Sequence, residues 1–231
     1  MSRIKKLGIV VVIMLLILLI TLAVLAPTIK DYYIKSELVP EAELTSAIEN
    51  MAKATSYQYY LKSGFWVDDR REVISEVTGE KAEENTHIKG EMVNTPVNIY
   101  YIDRTIYNYD AFSEKWLVID SNTTNSEELL ITELSPLSNF RFKEIGEVEK
   151  LGFENIDGTE CLVVMCKPVI DNEFLESIWQ DFSYEMWIDY KGKIIKKAIL
   201  TANNRQMPST KLDIQVEFDD INKKLKVKPP I

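Results

Sequence analysis

The chain has 231 residues and a formal net charge of −9 at pH 7, from 27 Lys and Arg residues against 36 Asp and Glu. This acidic balance argues against a nucleic-acid partner, which would need a basic stripe. It also argues against strong electrostatic adhesion to anionic lipid headgroups. His87 is the only histidine, which leaves almost no material for a histidine-based triad or a histidine-rich metal site.

A run of twenty residues without a charged side chain, Leu7 to Ala26, lies near the N-terminus. Twenty helical residues rise about 30 Å, which matches the hydrocarbon core of a bilayer. Arg3, Lys5 and Lys6 precede the run, so the positive-inside rule keeps residues 1–6 in the cytoplasm. We therefore expect a single-pass protein of the bacterial cytoplasmic membrane, anchored through residues 7–26, with the rest of the chain outside.

The alternative for this run is a cleaved signal peptide. Signal peptides have an apolar core of about 7–15 residues and a small-residue cleavage site. The run is longer than that, and Pro27 follows it directly, which favours an uncleaved anchor. The residue directly after the run is not a cysteine, so a lipidated N-terminus of the bacterial lipoprotein kind is excluded.

The rest of the chain divides into a stalk, one domain and a tail. Residues 27–40 form a short juxtamembrane stalk, in which Tyr32 and Tyr33 lie where an interfacial aromatic belt is expected. Residues 41–222 are enough for one extracytoplasmic domain with a substantial core. Residues 223–231, KKLKVKPPI, are a basic tail.

The domain begins with a helix and continues with strands. The helix is marked by four apolar residues on one face, Leu44, Ala47, Ile48 and Met51. Six short segments rich in β-branched and aromatic residues then follow between residues 57 and 120, separated by hairpin-sized connectors. This pattern predicts an antiparallel meander.

The second half of the domain mixes short helices with strands. Residues 121–142 predict one or two short helices, which Pro136 ends or bends. A strand pair follows, from residue 143 to residue 168, with a turn at Asp157 and Gly158.

A last helix and three strands complete the pattern. The helix is predicted from Asp171 to Phe182, capped by Asp171 or Asn172, and its apolar face consists of Phe174, Leu175, Ile178 and Trp179. The helices are too few for a second full layer over a long antiparallel sheet. We therefore predict an α+β fold, in which the N-terminal transmembrane helix is followed by a curved antiparallel β half-barrel with a few covering helices.

Two cysteines, Cys161 and Cys166, stand in the segment CLVVMC, which is typical of a buried strand. Residues five apart on a strand face opposite sides, so these two cannot bond to each other. Their spacing matches no zinc signature. We predict that both are reduced, buried core residues.

Three segments of the domain together resemble the LolA/LolB-like lipoprotein carriers and the related mycobacterial LppX and LprG lipoproteins. They are a leading helix running into a Tyr-rich strand, a stretch of hairpins with a Trp strand, and an acidic strand that turns at Lys-Gly into a basic one. In the sequence these read ELTSAIENMAKATSYQ, GEMVNTPVNIYYIDRTIYNYDAFSEKWLVID and YEMWIDYKGKIIKKAIL. The resemblance implies a half-barrel around an apolar cavity that takes acyl chains.

The chain departs from these carriers in its tether. The carriers are soluble in the periplasm or anchored through a lipidated cysteine, whereas a transmembrane helix keeps a protein in its own membrane. RseB, which has a related fold, instead serves as a sensing domain. A ligand-free envelope interaction or signalling domain, acting through protein–protein contacts, is therefore the alternative function.

The candidate ligand-binding residues are aromatic, Met and other apolar side chains on alternate strand positions and on the last predicted helix. Aromatic rings can line a lipid-sized cavity, and Met side chains give it adaptable walls. Ordinary core packing explains the same pattern, since strands prefer aromatic residues. The candidates are Tyr57, Tyr59, Met92, Tyr101, Trp116, Val164, Phe174, Ile178, Trp179 and Met186.

No catalytic signature is found in the sequence. It contains no Gly-x-Ser-x-Gly elbow, no phosphate-binding loop and no EF-hand calcium loop. We predict a protein that is not an enzyme and needs no cofactor or metal. Its expected partners are the membrane, through residues 7–26, and either a lipid or acyl chain on the concave face of the sheet or an envelope protein. We expect the ligand beneath the helix 171–182.

Overall fold

The structure, a computed structural model, describes residues 25–68, 70–120 and 135–231, together with Met14, Leu16 and Thr21. The chain forms two compact units, residues 1–39 and residues 40–231. In the first unit, residues 25–37 are helical. Most of the predicted anchor, Leu7 to Ala26, lies outside the described residues. Among the residues that are described, no helix has both the length and the apolar character needed to cross a bilayer.

The second unit is built mainly from strands. Its helices are α1 (Pro40–Ala52), the 3-10 helix η1 (Pro136–Phe140) and α2 (Glu173–Ile178). Its strands are β1 (Ser56–Val67), β2 (Arg70–Ala82), β3 (Asn85–Met92), β4 (Thr95–Ile102), β5 (Thr105–Asp110), β6 (Lys115–Asp120), β7 (Phe142–Glu144), β8 (Val148–Ile156), β9 (Thr159–Cys166), β10 (Val169–Ile170), β11 (Trp179–Asp189), β12 (Ile194–Asn204) and β13 (Thr210–Asp219).

Eleven of these strands form one antiparallel sheet in the order β6-β5-β4-β3-β2-β1-β13-β12-β11-β9-β8. β7 and β10 pair separately. The predicted meander is confirmed as β1 to β6, and the three predicted closing strands are confirmed as β11 to β13. Pairing of β1 with β13 joins these two groups into a single sheet.

The sheet bends toward one of its faces. Phe65 near the end of β1 stacks on Trp179 at the start of β11, with ring centroids 5.4 Å apart. β13 and β12 separate these strands, so their backbones would lie about 14 Å apart on a flat sheet. Side chains stand roughly perpendicular to a sheet, so the ring contact indicates a bend toward that face. An open antiparallel sheet of this shape fits the predicted half-barrel.

Helix α1 packs with the side that the sequence predicts. Leu44, Ala47 and Met51 are buried, and the helix contacts β8, β11, β12 and η1. Its polar residues hold it to the turn between β11 and β12. The ammonium of Lys193 pairs with the largely buried carboxylate of Glu43, and the Asn50 side-chain amide donates to the Lys193 carbonyl at 2.9 Å.

The helix predicted from Asp171 to Phe182 is wrong from Trp179 onward. α2 ends at Ile178, and the chain enters β11 at Trp179. A register shift between Gln180 and Ser183 places one extra residue in β11, where Asp181 and Phe182 stand against Ala202 alone, so Trp179 and Phe182 are both buried at a spacing of three. This spacing imitates helical periodicity. The predicted cap is confirmed at Asn172, whose side-chain oxygen accepts a hydrogen bond from the Leu175 amide at 3.0 Å.

Two further boundaries are set by proline and glycine. Pro136 begins η1, since a proline fits the first turn, where no amide donor is needed. Residues 121–134, the rest of the predicted helical segment 121–142, lie outside the described residues. The strand predicted from residue 143 is divided into β7 and β8 around Gly146, whose φ of 71° is accessible to glycine. In the tail, Val227 is buried against the domain.

Both cysteines are free and buried in β9, as predicted. Cys161 lies on the same side of the sheet as Val163 and Trp187. Cys166 is paired with Tyr184, and both side chains point to the opposite side. Burial raises the pKa of Cys161 to about 11 and that of Cys166 to about 12.

We expect both thiols to react slowly with a maleimide in the native chain. Only the thiolate is nucleophilic, and burial with the raised pKa leaves very little of it near neutral pH. Mass spectrometry of chain treated with and without denaturant measures the effect. Rapid modification of either cysteine under native conditions would show that β9 opens readily.

Candidate functional site

The face toward which the sheet bends is called the inner face. Residues directly opposed in an antiparallel ladder point to the same face, so the strand register defines it. One inner-face row crosses most of the sheet, through Phe218, Tyr59, Gly79, Ile88, Ile99, Asn108 and Leu117. The inner face is therefore mainly apolar from its central strands to the edge at β6.

The central part of the inner face is filled by aromatic side chains. Phe140 of η1 contacts Tyr184 and Phe218, with ring centroids 6.1 and 6.2 Å apart. The Tyr184 hydroxyl donates to the Asn139 carbonyl at 2.7 Å, which fixes η1 against β11. This part of the face is ordinary core.

Glycine in β2 lets an aromatic ring lie flat on the sheet. The ring of Tyr59 covers Gly79, and a Cβ atom at that position would lie 2.0 Å from Tyr59 Cζ. Tyr59 is also in contact with Tyr57, at 5.9 Å between ring centroids. The two tyrosines are therefore packed into the sheet and are not free to move aside for a ligand.

An apolar part of the inner face stays accessible on β4 to β6. Val97 and Tyr101 are half-buried, while Leu117 and Ile119 remain 47% and 36% exposed. We call these four residues the accessible strip. Asp110 and Lys115 are opposed at its end near the β5–β6 loop and also point inward. The strip therefore combines an apolar floor with one charged end.

The structure brings seven of the ten candidate residues to the inner face. They are Tyr57, Tyr59, Met92, Tyr101, Val164, Trp179 and Met186. Most of these are buried in the core, but Met92 and Tyr101 are half-buried.

The other three candidates lie elsewhere. Trp116 is on the outer face, where it contacts Tyr100 and Tyr109. Phe174 of α2 is 73% exposed, and Ile178 is also exposed, so the helix does not present the continuous covering face that was predicted. Leu117 and Ile119 were missed, although four consecutive apolar residues in KWLVID were a signal that both faces of one strand are apolar.

One buried hydroxyl on the inner face stands out. The Tyr57 hydroxyl has no hydrogen-bond partner among the described residues, although the residue is fully buried. Burial raises the pKa of Tyr57 above its ordinary value. A buried hydroxyl without a partner is unfavourable by about 1–3 kcal/mol.

We expect Tyr57→Phe to leave the free energy of unfolding unchanged or to raise it, because no bond is lost. In the matched variant Tyr184→Phe, the bond to the Asn139 carbonyl is lost, and we expect a decrease of about 0.5–1.5 kcal/mol. Denaturant unfolding of the two variants measures the difference. Equal losses in both would show that the Tyr57 hydroxyl is also bonded in solution.

Two open grooves lie away from the accessible strip. One, of about 520 Å³, is lined by residues that include Val73, Glu76 and Glu91. The other, of about 340 Å³, has Glu80 and Asp219 in its lining. Their carboxylates point to the outer face and make a poor environment for an apolar chain, so neither groove is the candidate site.

Among the described residues, no group of three or more His, Cys, Asp or Glu side chains is placed to hold a metal ion. The accessible strip contains no nucleophile paired with a base. It is an exposed, mainly apolar surface.

Neither a protein-family model nor a curated protein matches the chain. Solved structures do match. The lipoprotein LppX of Mycobacterium tuberculosis superposes with a TM-score of 0.55 at 14% identity, over 81% of this chain and 97% of LppX. LprF of Mycobacterium bovis gives a TM-score of 0.55 at 11% identity, over 83% of this chain and 98% of LprF. These matches confirm the predicted resemblance at the level of the fold. The chain therefore has the fold of the lipoprotein LppX and of LprF.

Proposed function

We propose that the chain is a membrane-anchored, extracytoplasmic protein that binds an apolar ligand, a lipid or a lipoprotein acyl chain, on the inner face of its sheet. The observation that carries the proposal is the accessible strip. Leu117 and Ile119 face inward and are still exposed, so this strip offers apolar area to a ligand. The fold shared with the lipoprotein LppX supports the proposal.

The charged end of the apolar strip favours an amphipathic ligand. Apolar side chains gain free energy from covering a hydrocarbon chain in proportion to the area removed from water. Lys115 at the β5–β6 end offers an ammonium to a headgroup, while the oxygens of Asp110 beside it accept hydrogen bonds from the Phe112 amide and the Ser113 hydroxyl. An acyl chain on the strip with its polar end beside these residues satisfies both features.

Uptake of a fluorescent fatty acid by the full chain tests the binding proposal. A saturable rise in fluorescence that unlabelled fatty acid reverses supports it. No saturable signal above that of the detergent or lipid carrier would contradict it.

The membrane anchor is part of the proposal and rests on the apolar run Leu7 to Ala26 with Arg3, Lys5 and Lys6 before it. We expect protease added to spheroplasts to digest the domain and leave a membrane-bound fragment, because the domain lies outside. Sequencing of the mature N-terminus provides the control. A mature chain that begins after Ala26 would contradict the anchor.

A protein-interaction function is favoured by one separate observation. In the described part of the chain β6 is the last strand of the sheet, and Leu117, Val118 and Ile119 are exposed on its two faces. An exposed apolar edge strand can accept a strand from another protein. If fatty acid uptake is absent, strand addition to β6 by an envelope protein becomes the better account of the same edge.

A further inference from the structure

The ends of the strands give the sheet two unlike rims. The upper rim is the end that carries the β1–β2, β3–β4, β5–β6 and β12–β13 connections and the segment from β9 to β11 with α2. Large apolar side chains are exposed at or beside nearly all of these connections. They are Trp66, Val93, Phe112, Val169, Phe174 and Met207.

The opposite rim has a different composition. Its turns contain Glu83 and Glu84, Asp103 and Arg104, Asp157 and Gly158, and Lys191 to Lys193. Among the described residues, no large apolar side chain is exposed in these turns. The remaining exposed apolar side chains among the described residues of the domain belong to the strands β6 and β8, to Ile178 at the end of α2, to Val73 of β2 and to the C-terminal Ile231. Single exposed apolar residues are common on proteins, but their concentration at one rim is not.

Turn geometry does not account for the apolar residue in the β3–β4 turn. Val93 has a φ of 49°, which is unfavourable for a β-branched residue, and its side chain is 66% exposed. Asn and Asp are the residues that tolerate this conformation in a two-residue hairpin turn, and they or other polar residues occupy the equivalent positions of the opposite rim. A valine here does not stabilise the turn, and its exposed side chain contributes little to the core.

We infer that the upper rim is a membrane-docking surface, which inserts Phe112, Val93 and Phe174 into the interfacial region of a lipid bilayer. The apolar side chains are spread along the whole arc of the sheet and alternate with charged groups such as Asp68 and Arg70. Each of these side chains protrudes from a different connection, and a fluid bilayer can accept such separate side chains without a matching surface. Since the chain is acidic overall, docking is driven by apolar burial and not by attraction to anionic lipids.

The inference goes beyond the binding of an acyl chain on the inner face, and it holds whether or not the accessible strip binds one. Insertion of the β5–β6 loop would place the charged end of the strip, Asp110 and Lys115, at the level of the lipid headgroups. A lipid moving between the bilayer and the strip would then keep its headgroup in a polar environment.

Fluorescence quenching in the full chain, reconstituted into phosphatidylcholine vesicles, tests the docking. An environment-sensitive fluorophore is attached at Ala111→Cys beside Phe112, and in a matched control at Glu84→Cys in a turn of the opposite rim. Cys161 and Cys166 are buried and expected to react slowly, so the introduced thiol should be the main target. Nitroxide-labelled phosphatidylcholine is placed either in the host vesicle or in added vesicles without protein.

We expect the nitroxide lipid of the host vesicle, of the added vesicles or of both to quench the fluorophore at position 111 but not the one at position 84. We expect this quenching to persist at high salt. Phe112→Ser combined with Phe174→Ser should lower the docked-to-free ratio by about tenfold or more. Val93→Asn should raise the melting temperature, because asparagine tolerates the positive φ of this turn better than valine does. The same substitution should lower quenching. A purely structural role of Val93 would not give a more stable protein that docks less well. No quenching at position 111, equal quenching at both positions, loss of quenching in salt, or unchanged quenching in the double variant would each overturn the inference.

Discussion

Replacing Phe218 with alanine is expected to lower the free energy of unfolding by about 3–5 kcal/mol, the range for truncating a buried aromatic side chain. Phe218 is 1% exposed and lies on β13 opposite Tyr59. Its ring meets Tyr57 edge-on at 5.6 Å and Phe140 at 6.2 Å. The side chain thus links the meander, the closing strands and η1, and a cavity here weakens all three contacts at once.

Denaturant unfolding of the full chain, followed by tryptophan fluorescence, measures this effect. Phe112→Ala is the matched control, since the same side chain is removed from a position that is 98% exposed. We expect the control to change the free energy of unfolding by no more than about 0.5 kcal/mol. Similar losses in the two variants would show that β1 and β13 are not joined as described.

Replacing Leu117 with aspartate is expected to weaken fatty acid binding by about tenfold or more, because a carboxylate on the apolar strip must be desolvated when an acyl chain covers it. Leu117 points to the inner face at the middle of the strip. The neighbouring Val118 has similar exposure, 54% against 47%, but points to the outer face. Val118→Asp is therefore a matched control on the same edge strand.

The pair separates ligand binding from folding. Both substitutions put one charge on an exposed position of β6, so we expect similar melting temperatures. Fluorescent fatty acid uptake should fall in Leu117→Asp and stay at the wild-type level in Val118→Asp. Equal affinities in the two variants would place the ligand away from the strip.

The strands that flank the β2–β3, β4–β5 and β8–β9 turns could be predicted because these turns are encoded locally. Glu83, Asp103 and Asp157 have positive φ values of 55°, 49° and 48° in the turns, and these residue types tolerate such values better than β-branched ones. Helix α1 was equally predictable, since Leu44, Ala47 and Met51 mark its buried side by their spacing alone.

Features that depend on distant pairing could not be predicted. Alternation of apolar residues shows that β13 has one buried face, but does not show that β1 is its neighbour. The accessible strip lies on β6, which is the last strand of the sheet in the described part of the chain, and the pattern of KWLVID does not determine strand order. The end of α2 was misplaced because a β-bulge at Asp181 and Phe182 gave strand residues a helical spacing.

Mass spectrometry of the full chain, purified from its own membrane and released intact from detergent micelles, tests acyl-chain binding most directly. The proposed function predicts that the chain carries an additional mass equal to one lipid or acylated molecule, and that Leu117→Asp loses this mass while Val118→Asp retains it. A wild-type chain with only its own mass, which also gains none when incubated with lipid, would contradict acyl binding on the inner face.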